Sequence, residues 1–360
     1  MRKCAFYLVS TPLHLFLSSA IALQNKDQDN ILIFIDQVEV DNNFYAQQIE
    51  LWQNSPFQEV HIFPGRIKGL LEKRRSRKNI FKQLAQLIEK FKPTDIHIGN
   101  DRRIEFQYCM HKSQQYGGAK GHYIDEGTYT YIGREQSQSF QDAIVDNWVK
   151  KLVYGLWWKN PITIGGSDWI SSIYVAFPKL VHPLLKQKKV VAIEPKWLES
   201  PSLNEFSKQL LTAKDMDADT VSAVDVLIAL PHESIIAQNK MYKSSILNLI
   251  TQLRKANKNV AVKYHPRDKE TDALGLQEAG CQLIPSQVNF EALLLIFPKN
   301  RTIIGDFSSV LLNARWLRPD LRVIAALENK ESISPLFFSL YSSLEIDMVN
   351  VEDIHTLKNL

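Results

Sequence analysis

Short apolar runs of strand character alternate with helical stretches along the whole chain. In the first half, strands are predicted at Cys4–Val9, Ile31–Asp36, Glu59–Phe63, Ile96–Gly99 and Gly121–Ile124. In the second half, they are predicted at Val224–Leu230, Asn259–Tyr264, Gln282–Ile284, Thr302–Gly305 and Arg322–Ala326. Such alternation is typical of a parallel sheet that is covered by helices. The pattern therefore predicts an α/β protein built from doubly wound, Rossmann-like sheets.

The helices between these strands follow from apolar positions at helical spacing. They are predicted at Asn79–Phe91, Ile235–Ala256, Asp268–Ala279, Asn289–Phe297, Ser308–Trp316 and Pro335–Tyr341. The region Phe140–Leu185 is rich in tryptophan, and we expect it to be helical and to pack in a core or between the domains.

The length of 360 residues is sufficient for two domains with separate cores. The basic stretch KQKKVVAIEPKWLESPS is interrupted by proline and is typical of a passage between domains. We therefore expect a first domain over residues 1–190 and a second over residues 191–360, with the last helix packing back on the first domain. Two such domains would face a cleft, and ligands of doubly wound sheets bind beyond the carboxyl ends of the strands.

Composition excludes several other classes of protein. A hydrophobic fraction of 45% with 23% charged residues argues against disorder, and no apolar stretch is long enough to span a bilayer. The 3 cysteines are widely spaced, which favours a reducing compartment over a disulfide frame or a metal knuckle. We expect a cytoplasmic protein.

The net charge of +4 is unevenly distributed, because the segment from Arg66 to Lys92 is strongly basic. One interpretation is a solvated helix face. The other is contact with an anionic partner, either lipid headgroups at the inner membrane or an acidic saccharide. Nucleic acid is disfavoured, because no base-stacking module or DNA-binding motif accompanies the segment.

An acidic turn follows the last predicted strand of the first half. Asp125, Glu126 and Gly127 come directly after Ile124. Carboxylates before a glycine are common in plain turns. Alternatively, one of the two carboxylates is a general base whose pKa is raised by its like-charged neighbour.

Polar clusters also follow the predicted strands of the second half. They are His232 with Glu233, then Lys263, His265 and Arg267, then Glu291 in the first turn of a helix, and finally the pair Ser308 and Ser309. A serine pair at a helix start is ordinarily an N-cap, but free backbone N–H groups and hydroxyls there also bind phosphate. The placement of these clusters at consecutive strand ends indicates one binding site.

The only metal-like triplet lies in DMDAD, Asp215 to Asp219. It follows a helical stretch instead of a strand, so we expect no metal there.

The combination of Asp125-Glu126-Gly127, His265-Pro266 and Ser308-Ser309, in that order, resembles the short motifs of bacterial sialyltransferases. The segments HPR, FEALL and DFSSVL are most similar to the lipooligosaccharide sialyltransferases (glycosyltransferase family 52) and the bacterial polysialyltransferases. The resemblance extends from the first strand to about Leu327.

This resemblance implies a GT-B fold in which the first domain binds the acceptor and the second binds CMP. The donor would be CMP-sialic acid, and the acceptor would be a saccharide of a bacterial surface glycan such as lipooligosaccharide or capsule. The reaction would be inverting and independent of metal and cofactor.

The resemblance also implies a role for each motif residue. Asp125 or Glu126 would be the base, and His265 would bind or protonate the departing CMP phosphate. Ser308 and Ser309 would hold that phosphate, and Glu291 would bind the ribose hydroxyls. By strand alternation Lys263 would face the same side as His265 and form a cationic pair with it, and Pro266 would restrict the backbone of His265.

Secondary candidates are Ser10, Thr11, Gly127, His232, Glu233 and Arg267. In family 52 an acidic residue after the strand that matches LIALPHES is assigned as the base. The base is therefore Asp125, Glu126, Glu233 or His232, and the sequence leaves these alternatives open.

Two other functions remain compatible with the motifs. The donor could be CMP-Kdo or another CMP-nonulosonate, because these share the nucleotide and the anomeric carboxylate. A non-catalytic nucleotide-sugar-binding or assembly protein is disfavoured by the acidic turn, because a binder needs no base.

Overall fold

A computed structural model describes residues 2–65, 69–133, 151, 155–268, 270–327, 329 and 333–354. The chain divides into two compact units, Met1–Leu198 and Glu199–Leu360. The expected domain boundary at residue 190 falls inside the strand Lys189–Ala192, which pairs with its neighbour in the first sheet.

The first unit contains a parallel sheet. Its strands are β1 (Cys4–Val9), β2 (Asp29–Gln37), β3 (Glu59–Pro64), β4 (Asp95–Ile98), β5 (Lys120–Ile124), β6 (Ile170–Val175) and β7 (Lys189–Ala192). Within the described residues they lie in the order β3-β2-β1-β4-β5-β6-β7. The winding reverses between β1 and β4, which makes their carboxyl ends the switch point where such sheets bind ligands.

Helices connect these strands. They are α1 (Pro12–Gln24), α2 (Phe44–Leu51), α3 (Leu70–Phe91), α4 (Ile104–Ser113), α5 (Thr128–Ile132) and α6 (Pro195–Leu198), with short 3₁₀ turns at Gln114–Tyr116 and Pro178–Leu180. Every residue of β1 is buried, as expected for a central strand that is covered on both faces.

The second unit repeats this winding. Its strands are β8 (Val226–Ala229), β9 (Val260–Lys263), β10 (Gln282–Ile284), β11 (Thr302–Gly305), β12 (Arg322–Leu327) and β13 (Asp347–Asn350). In the described part of the chain they form a parallel sheet in the order β10-β9-β8-β11-β12-β13, with its switch point between β8 and β11.

The helices of the second unit complete the pattern. They are α7 (Pro201–Thr212), α8 (Ala218–Ser222), α9 (Glu233–Ile236), α10 (Tyr242–Lys255), α11 (Phe290–Ile296), α12 (Ser309–Leu317) and α13 (Pro335–Ser343). The core of this unit is formed where Ile228, Val262 and Ile304 of the central strands pack with Ile246 and Ile250 of α10. The last described helix, α13, contacts β13 of its own sheet.

The predicted fold class is confirmed by these two sheets, and every predicted strand is present. The strands β6, β7 and β13 were not predicted. β6 lies inside the region that was expected to be helical, of which residues 134–150 and 152–154 lie outside the described part. Its sequence, ISSIYV, carries two serines, and one of them is used by a hydrogen bond to His122 in the neighbouring strand β5.

Two helix predictions of the second unit were wrong. The described residues of the expected helix Asp268–Ala279, which are all but Lys269, form turns. In these turns Asp272 accepts hydrogen bonds from the hydroxyl of Tyr264 and the N–H of Leu276, and Gly275 has φ +68°. The expected helix Ile235–Ala256 is divided into α9 and α10.

No helix among the described residues combines the length and the apolar character that crossing a bilayer would require.

Candidate active site

Asp125 directly follows β5, and its carboxylate is occupied by the turn that it begins. Oδ1 accepts hydrogen bonds from the N–H of Gly127 and the hydroxyl of Thr130, both at 2.8 Å. Oδ2 accepts from the N–H of Ala176 at 2.9 Å and from the hydroxyl of Tyr131. Burial raises the pKa of Asp125, and these bonds oppose that shift. Four donors fill the acceptor sites of one carboxylate, so Asp125 holds the turn in place.

Glu126 differs from its neighbour in having an unused oxygen. Oε1 accepts a long hydrogen bond of 3.4 Å from Asn100, which follows β4. Oε2 is buried and has no hydrogen-bond partner among the described residues. Burial raises the pKa of Glu126 to about 7, and Asn100 and Arg103 oppose this shift. A carboxylate with a pKa near neutrality and a free oxygen has the properties of a general base.

Gly127 makes this turn sterically possible. Its φ of +85° and ψ of −134° lie in a region that is essentially restricted to glycine. A side chain here would strain the backbone that places Glu126 next to Asn100.

Ser10 and Thr11 lie at the switch point of the first sheet, after β1. The hydroxyl of Thr11 accepts from the N–H of His14 and caps α1. Ser10 Oγ lies 3.4 Å from Nδ1 of His14, whose ring packs so closely on Gly99 that a Cβ there would lie 1.9 Å from Nε2. Burial lowers the pKa of His14 to about 4, so this histidine is neutral.

Two neighbouring cavities of the first unit share Arg102 and Arg103. The first has a volume of about 350 Å³ and also contacts Asn100 and Tyr129. The second, of about 240 Å³, reaches Lys73 on α3. An ion pair of 2.7 Å between Arg103 and Asp36 lies in the second cavity. The same two arginines therefore line both the cavity that contacts Asn100 and the cavity that reaches Lys73.

The basic segment predicted from Arg66 to Lys92 is largely α3, although Arg66 and Lys68 lie outside the described residues. Ile80, Leu84 and Ile88 form the buried face of the helix. The other face is exposed and carries Lys73, Arg74, Arg75, Lys78 and Lys82. Contact of this face with a membrane or an anionic glycan stays a prediction.

In the second unit, His265 begins a tight turn after β9. The N–H of Asp268 donates to the carbonyl of His265 at 3.0 Å, with Pro266 at the second position, where proline is favoured. The N–H of Arg267 donates to Nδ1 of His265 at 3.2 Å. Burial, and then the charge of Arg267, lower the pKa of His265. The side chain of Arg267 is exposed, so its described role is through the backbone.

His232 and Glu233 follow β8 and lie beside this turn. His232 caps α9 by accepting the N–H of Ser234 at Nδ1, at 3.1 Å. The rings of His232 and His265 are perpendicular, with centroids 5.2 Å apart. Asp268 joins the two loops, because Oδ1 accepts the N–H of Glu233 at 3.0 Å and Oδ2 accepts the N–H of His265 at 3.2 Å.

Lys263, at the end of β9, and Glu291, in the first turn of α11, are both buried and interact through their charges. Nζ of Lys263 donates to the carbonyl of Ser286 at 2.9 Å, and burial lowers the pKa of Lys263 to about 8. Burial also raises the pKa of Glu291, whose Oε1 accepts from Asn313 of α12 at 2.9 Å. Lys263 thus contacts the loop between β10 and α11, which contains Ser286.

Ser308 and Ser309 lie at the start of α12, after β11. Neither hydroxyl has a hydrogen-bond partner within the described residues, and Ser308 does not cap the helix with its side chain. Tyr341 holds the backbone of Ser308 by accepting from its N–H and donating to its carbonyl, both at 3.0 Å. The first N–H groups of α12 and two hydroxyls are therefore available to an anion.

The triplet in DMDAD has a structural explanation at its central residue. Oδ1 of Asp217 accepts the N–H of Thr220 and caps α8.

The structure brings together residues that the sequence did not single out. Asn100 contacts Glu126, Asp268 joins the loops of His232 and His265, and Tyr341 fixes Ser308. All three act across long sequence separations. The sequence pattern predicted Asp268 as the start of a helix. The only signal that it belongs to the site was its position directly after HPR.

Comparison with known proteins gives both a family and a fold. The family model described as alpha-2,8-polysialyltransferase (POLYST) matches residues 5–326. No curated protein sequence gives a significant match.

Solved structures are similar over nearly the whole chain. One is an alpha/beta-galactoside alpha-2,3-sialyltransferase from Photobacterium phosphoreum, with 12% identity, a TM-score of 0.62, and coverage of 98% of this chain and 100% of that chain. Another is a UDP-GlcNAc 2-epimerase from Methanocaldococcus jannaschii, with 15% identity, a TM-score of 0.59, and coverage of 98% and 90%. At these identities the similarity concerns the fold, a pair of Rossmann-like units of the GT-B type.

Proposed function

Because the chain belongs to the alpha-2,8-polysialyltransferase family and is thus a glycosyltransferase, we propose that it transfers sialic acid from CMP-sialic acid to a saccharide acceptor. The acceptor belongs to a bacterial surface glycan such as capsule or lipooligosaccharide, and the reaction inverts the anomeric carbon without a metal ion. The observation that carries this proposal is the carboxylate of Glu126, with its unpaired Oε2 and a pKa of about 7.

Glu126 is the base in this mechanism. Its carboxylate removes the proton from an acceptor hydroxyl as the hydroxyl oxygen attacks the anomeric carbon of the sugar. Asp125 is a poorer candidate, because its two oxygens already accept four hydrogen bonds. Asp125 instead keeps Glu126 in position.

The second unit stabilises the leaving group. As the acceptor oxygen bonds to the anomeric carbon, the bond from that carbon to the phosphate oxygen breaks, and negative charge grows on CMP. His265, the free N–H groups of α12 and the hydroxyls of Ser308 and Ser309 are donors suited to that charge. A monophosphate leaving group needs no bridging divalent ion, which supports metal independence.

Lys263 and Glu291 are suited to the nucleoside part of the donor. Both are buried, and Lys263 already donates to the carbonyl of Ser286. A buried ammonium and a buried carboxylate near each other can recognise a polar base and its ribose by hydrogen bonds. We therefore assign Lys263 to the nucleoside in preference to the phosphate.

The acceptor is an acidic saccharide. The cavity beside Asn100 is lined by Arg102 and Arg103, which also line the cavity of Lys73. A chain that already carries carboxylates would gain Coulomb attraction along this surface.

A donor panel tests the proposal. The protein is incubated with CMP-Neu5Ac, CMP-Kdo, UDP-sugars and GDP-sugars, each with a sialylated or a neutral galactose-terminated acceptor, and free nucleotide is measured. We expect CMP release from CMP-Neu5Ac, faster with the sialylated acceptor and unchanged by EDTA. Release from CMP-Kdo alone would change the donor, and no release from any CMP-sugar would refute the enzymatic function.

A further inference from the structure

Two histidines, His232 and His265, follow the adjacent strands β8 and β9, and the mechanism above gives a role only to His265. His232, His265 and Asp268 each present a ligand atom, and these atoms lie within 4.8 Å of one another. That spacing is compatible with a divalent cation. The hydrogen bonds of the two rings decide whether the site takes a cation or an anion.

Both rings are held in the tautomer that opposes metal binding. Nδ1 of His232 accepts the N–H of Ser234, and Nδ1 of His265 accepts the N–H of Arg267. The hydroxyl of Ser234 also lies 2.8 Å from Nδ1 of His232, and in this tautomer the hydroxyl is the donor. A neutral imidazole carries one proton, so that proton lies on Nε2 in each ring. A metal-binding histidine does the reverse, because it donates from one nitrogen and coordinates through the other. Neither Nε2 has a hydrogen-bond partner among the described residues; His232 Nε2 lies 3.8 Å from Asp268 Oδ1.

We propose that His232 and His265 form an oxyanion site, in which their two Nε2–H groups bind the phosphoryl oxygens of the donor nucleotide. His232 is then a second ligand of the leaving group and not the base. Its Nδ1 is occupied and its Nε2 is protonated, so the neutral ring has no free nitrogen to accept a proton. The identity of the anion rests on the proposed function. The tautomers rest only on the hydrogen bonds of the two rings.

For a phosphate bound as in the proposed function, the strand order supports this assignment. His265 follows β9, and Ser308 follows β11, but these strands are not neighbours, because β8 lies between them. Two strand spacings are about 10 Å, so a phosphate that contacts both His265 and the start of α12 lies above the end of β8. His232 is the side chain that β8 contributes there.

Asp268 is a positioning residue for the pair. Its side chain is only 3% exposed and accepts the N–H of Glu233 from one loop and of His265 from the other. This bridge fixes the separation of the two rings, so the site exists before the ligand arrives.

The tautomers are tested by NMR of protein with ¹⁵N-labelled histidine. We expect His232 and His265 to show Nε2–H signals in the free protein, and both signals to shift with CMP or inorganic phosphate but not with cytidine. An Nδ1–H tautomer at His232, or phosphate binding that leaves its signal unchanged, would overturn the inference. Binding of Zn²⁺ alone by the two rings would overturn it as well.

Two substitutions at one position separate the atoms of His232. His232→Asn keeps an acceptor for the N–H of Ser234, because asparagine is a good N-cap, but it removes the distal donor. His232→Gln keeps a donor at the distal position. We expect His232→Asn to weaken CMP binding by about tenfold to a hundredfold and to leave cytidine binding unchanged. We expect His232→Gln to bind CMP more tightly than His232→Asn but less tightly than the unmodified protein.

The result distinguishes this inference from the proposed function. CMP affinity of His232→Asn equal to that of the unmodified protein would refute the oxyanion role of His232 while the donor assignment stands. If CMP fails to bind the unmodified protein, the donor assignment fails, and the phosphate titration still decides the role of the histidine pair.

Discussion

Replacement of Glu126 by glutamine tests the proposed base without changing the turn that holds it. Glutamine has the same shape and keeps an oxygen that accepts from Asn100, but it cannot accept a proton at Oε2. Loss of a general base lowers the rate by about 10²- to 10⁴-fold, which corresponds to about 3 to 5 kcal/mol in the activation free energy. We expect Glu126→Gln to lose this factor in kcat/KM for the acceptor while the thermal midpoint of unfolding changes little.

The pH profile is the assay that identifies the group. A base acts when it is deprotonated, and burial raises the pKa of Glu126 to about 7. In the unmodified protein, kcat/KM should therefore rise tenfold per pH unit below about 7 and level off above it. In Glu126→Gln the residual rate should lack this limb.

Asp125→Asn is the matched control. Its amide would turn an N–H₂ group toward the donors that now contact the carboxylate, and an unsatisfied buried polar group costs about 1 to 3 kcal/mol of unfolding free energy. This variant should lose stability as well as activity, and its remaining activity should keep the limb near pH 7. A Glu126→Gln variant that retains a tenth or more of the rate, or that keeps the limb, would refute the reasoning.

Three further predictions follow from the same contacts. Burial and Arg267 lower the pKa of His265, and its Nδ1 accepts the N–H of Arg267, so the neutral ring should bind CMP without taking up a proton; calorimetry in buffers of different ionisation enthalpy measures proton uptake, and uptake by His265 on CMP binding would contradict the neutral tautomer. Burial lowers the pKa of His14 from 6.5 to about 4, so as the pH falls the unfolded state binds a proton before the folded state does. The free energy of unfolding should therefore decrease by about 3 kcal/mol as the pH falls from 6.5 to 4. Chemical denaturation of His14→Gln should show a smaller decrease over this range, and an equal decrease would exclude His14 as the cause. Asp217 caps α8, and Asp217→Asn keeps an oxygen that can cap the helix, so this variant should retain full activity with or without EDTA. If EDTA instead inhibits the unmodified protein and Asp217→Asn is inactive, a metal ion binds at Asp217.

The sequence predicted the sheets well, because their central strands are short apolar runs bounded by polar turns. It failed where long-range hydrogen bonds replace local preference. The segment after His265 has helical composition, yet Asp272 is committed to Tyr264 and Leu276, and turns result. β6 was missed because its serine contacts a histidine of the neighbouring strand, which no local pattern reveals.

The choice between the two acidic residues was beyond the sequence for the same reason. Asp125 and Glu126 are adjacent and chemically alike. One donor that fills Asp125 is the N–H of Ala176, which comes from beyond β6. The sequence therefore located the acidic turn but had no means of deciding which carboxylate remains free.

In both units a buried aspartate holds a neighbouring titratable residue in place. In the first, the buried carboxylate of Asp125 is filled by donors of its own turn and of a distant loop, and the adjacent Glu126 keeps a free oxygen. In the second, each oxygen of the buried carboxylate of Asp268 accepts one backbone N–H group, and His265 keeps a free Nε2. In each case a buried aspartate accepts hydrogen bonds from backbone N–H groups of two separate segments, so that a neighbouring titratable group is held in place but not neutralised. Such preorganisation contributes to catalysis because the reacting group need not be ordered during the reaction. It follows that substitutions of Asp125 and Asp268 should reduce stability and rate together, whereas substitutions of Glu126 and His265 should reduce the rate alone.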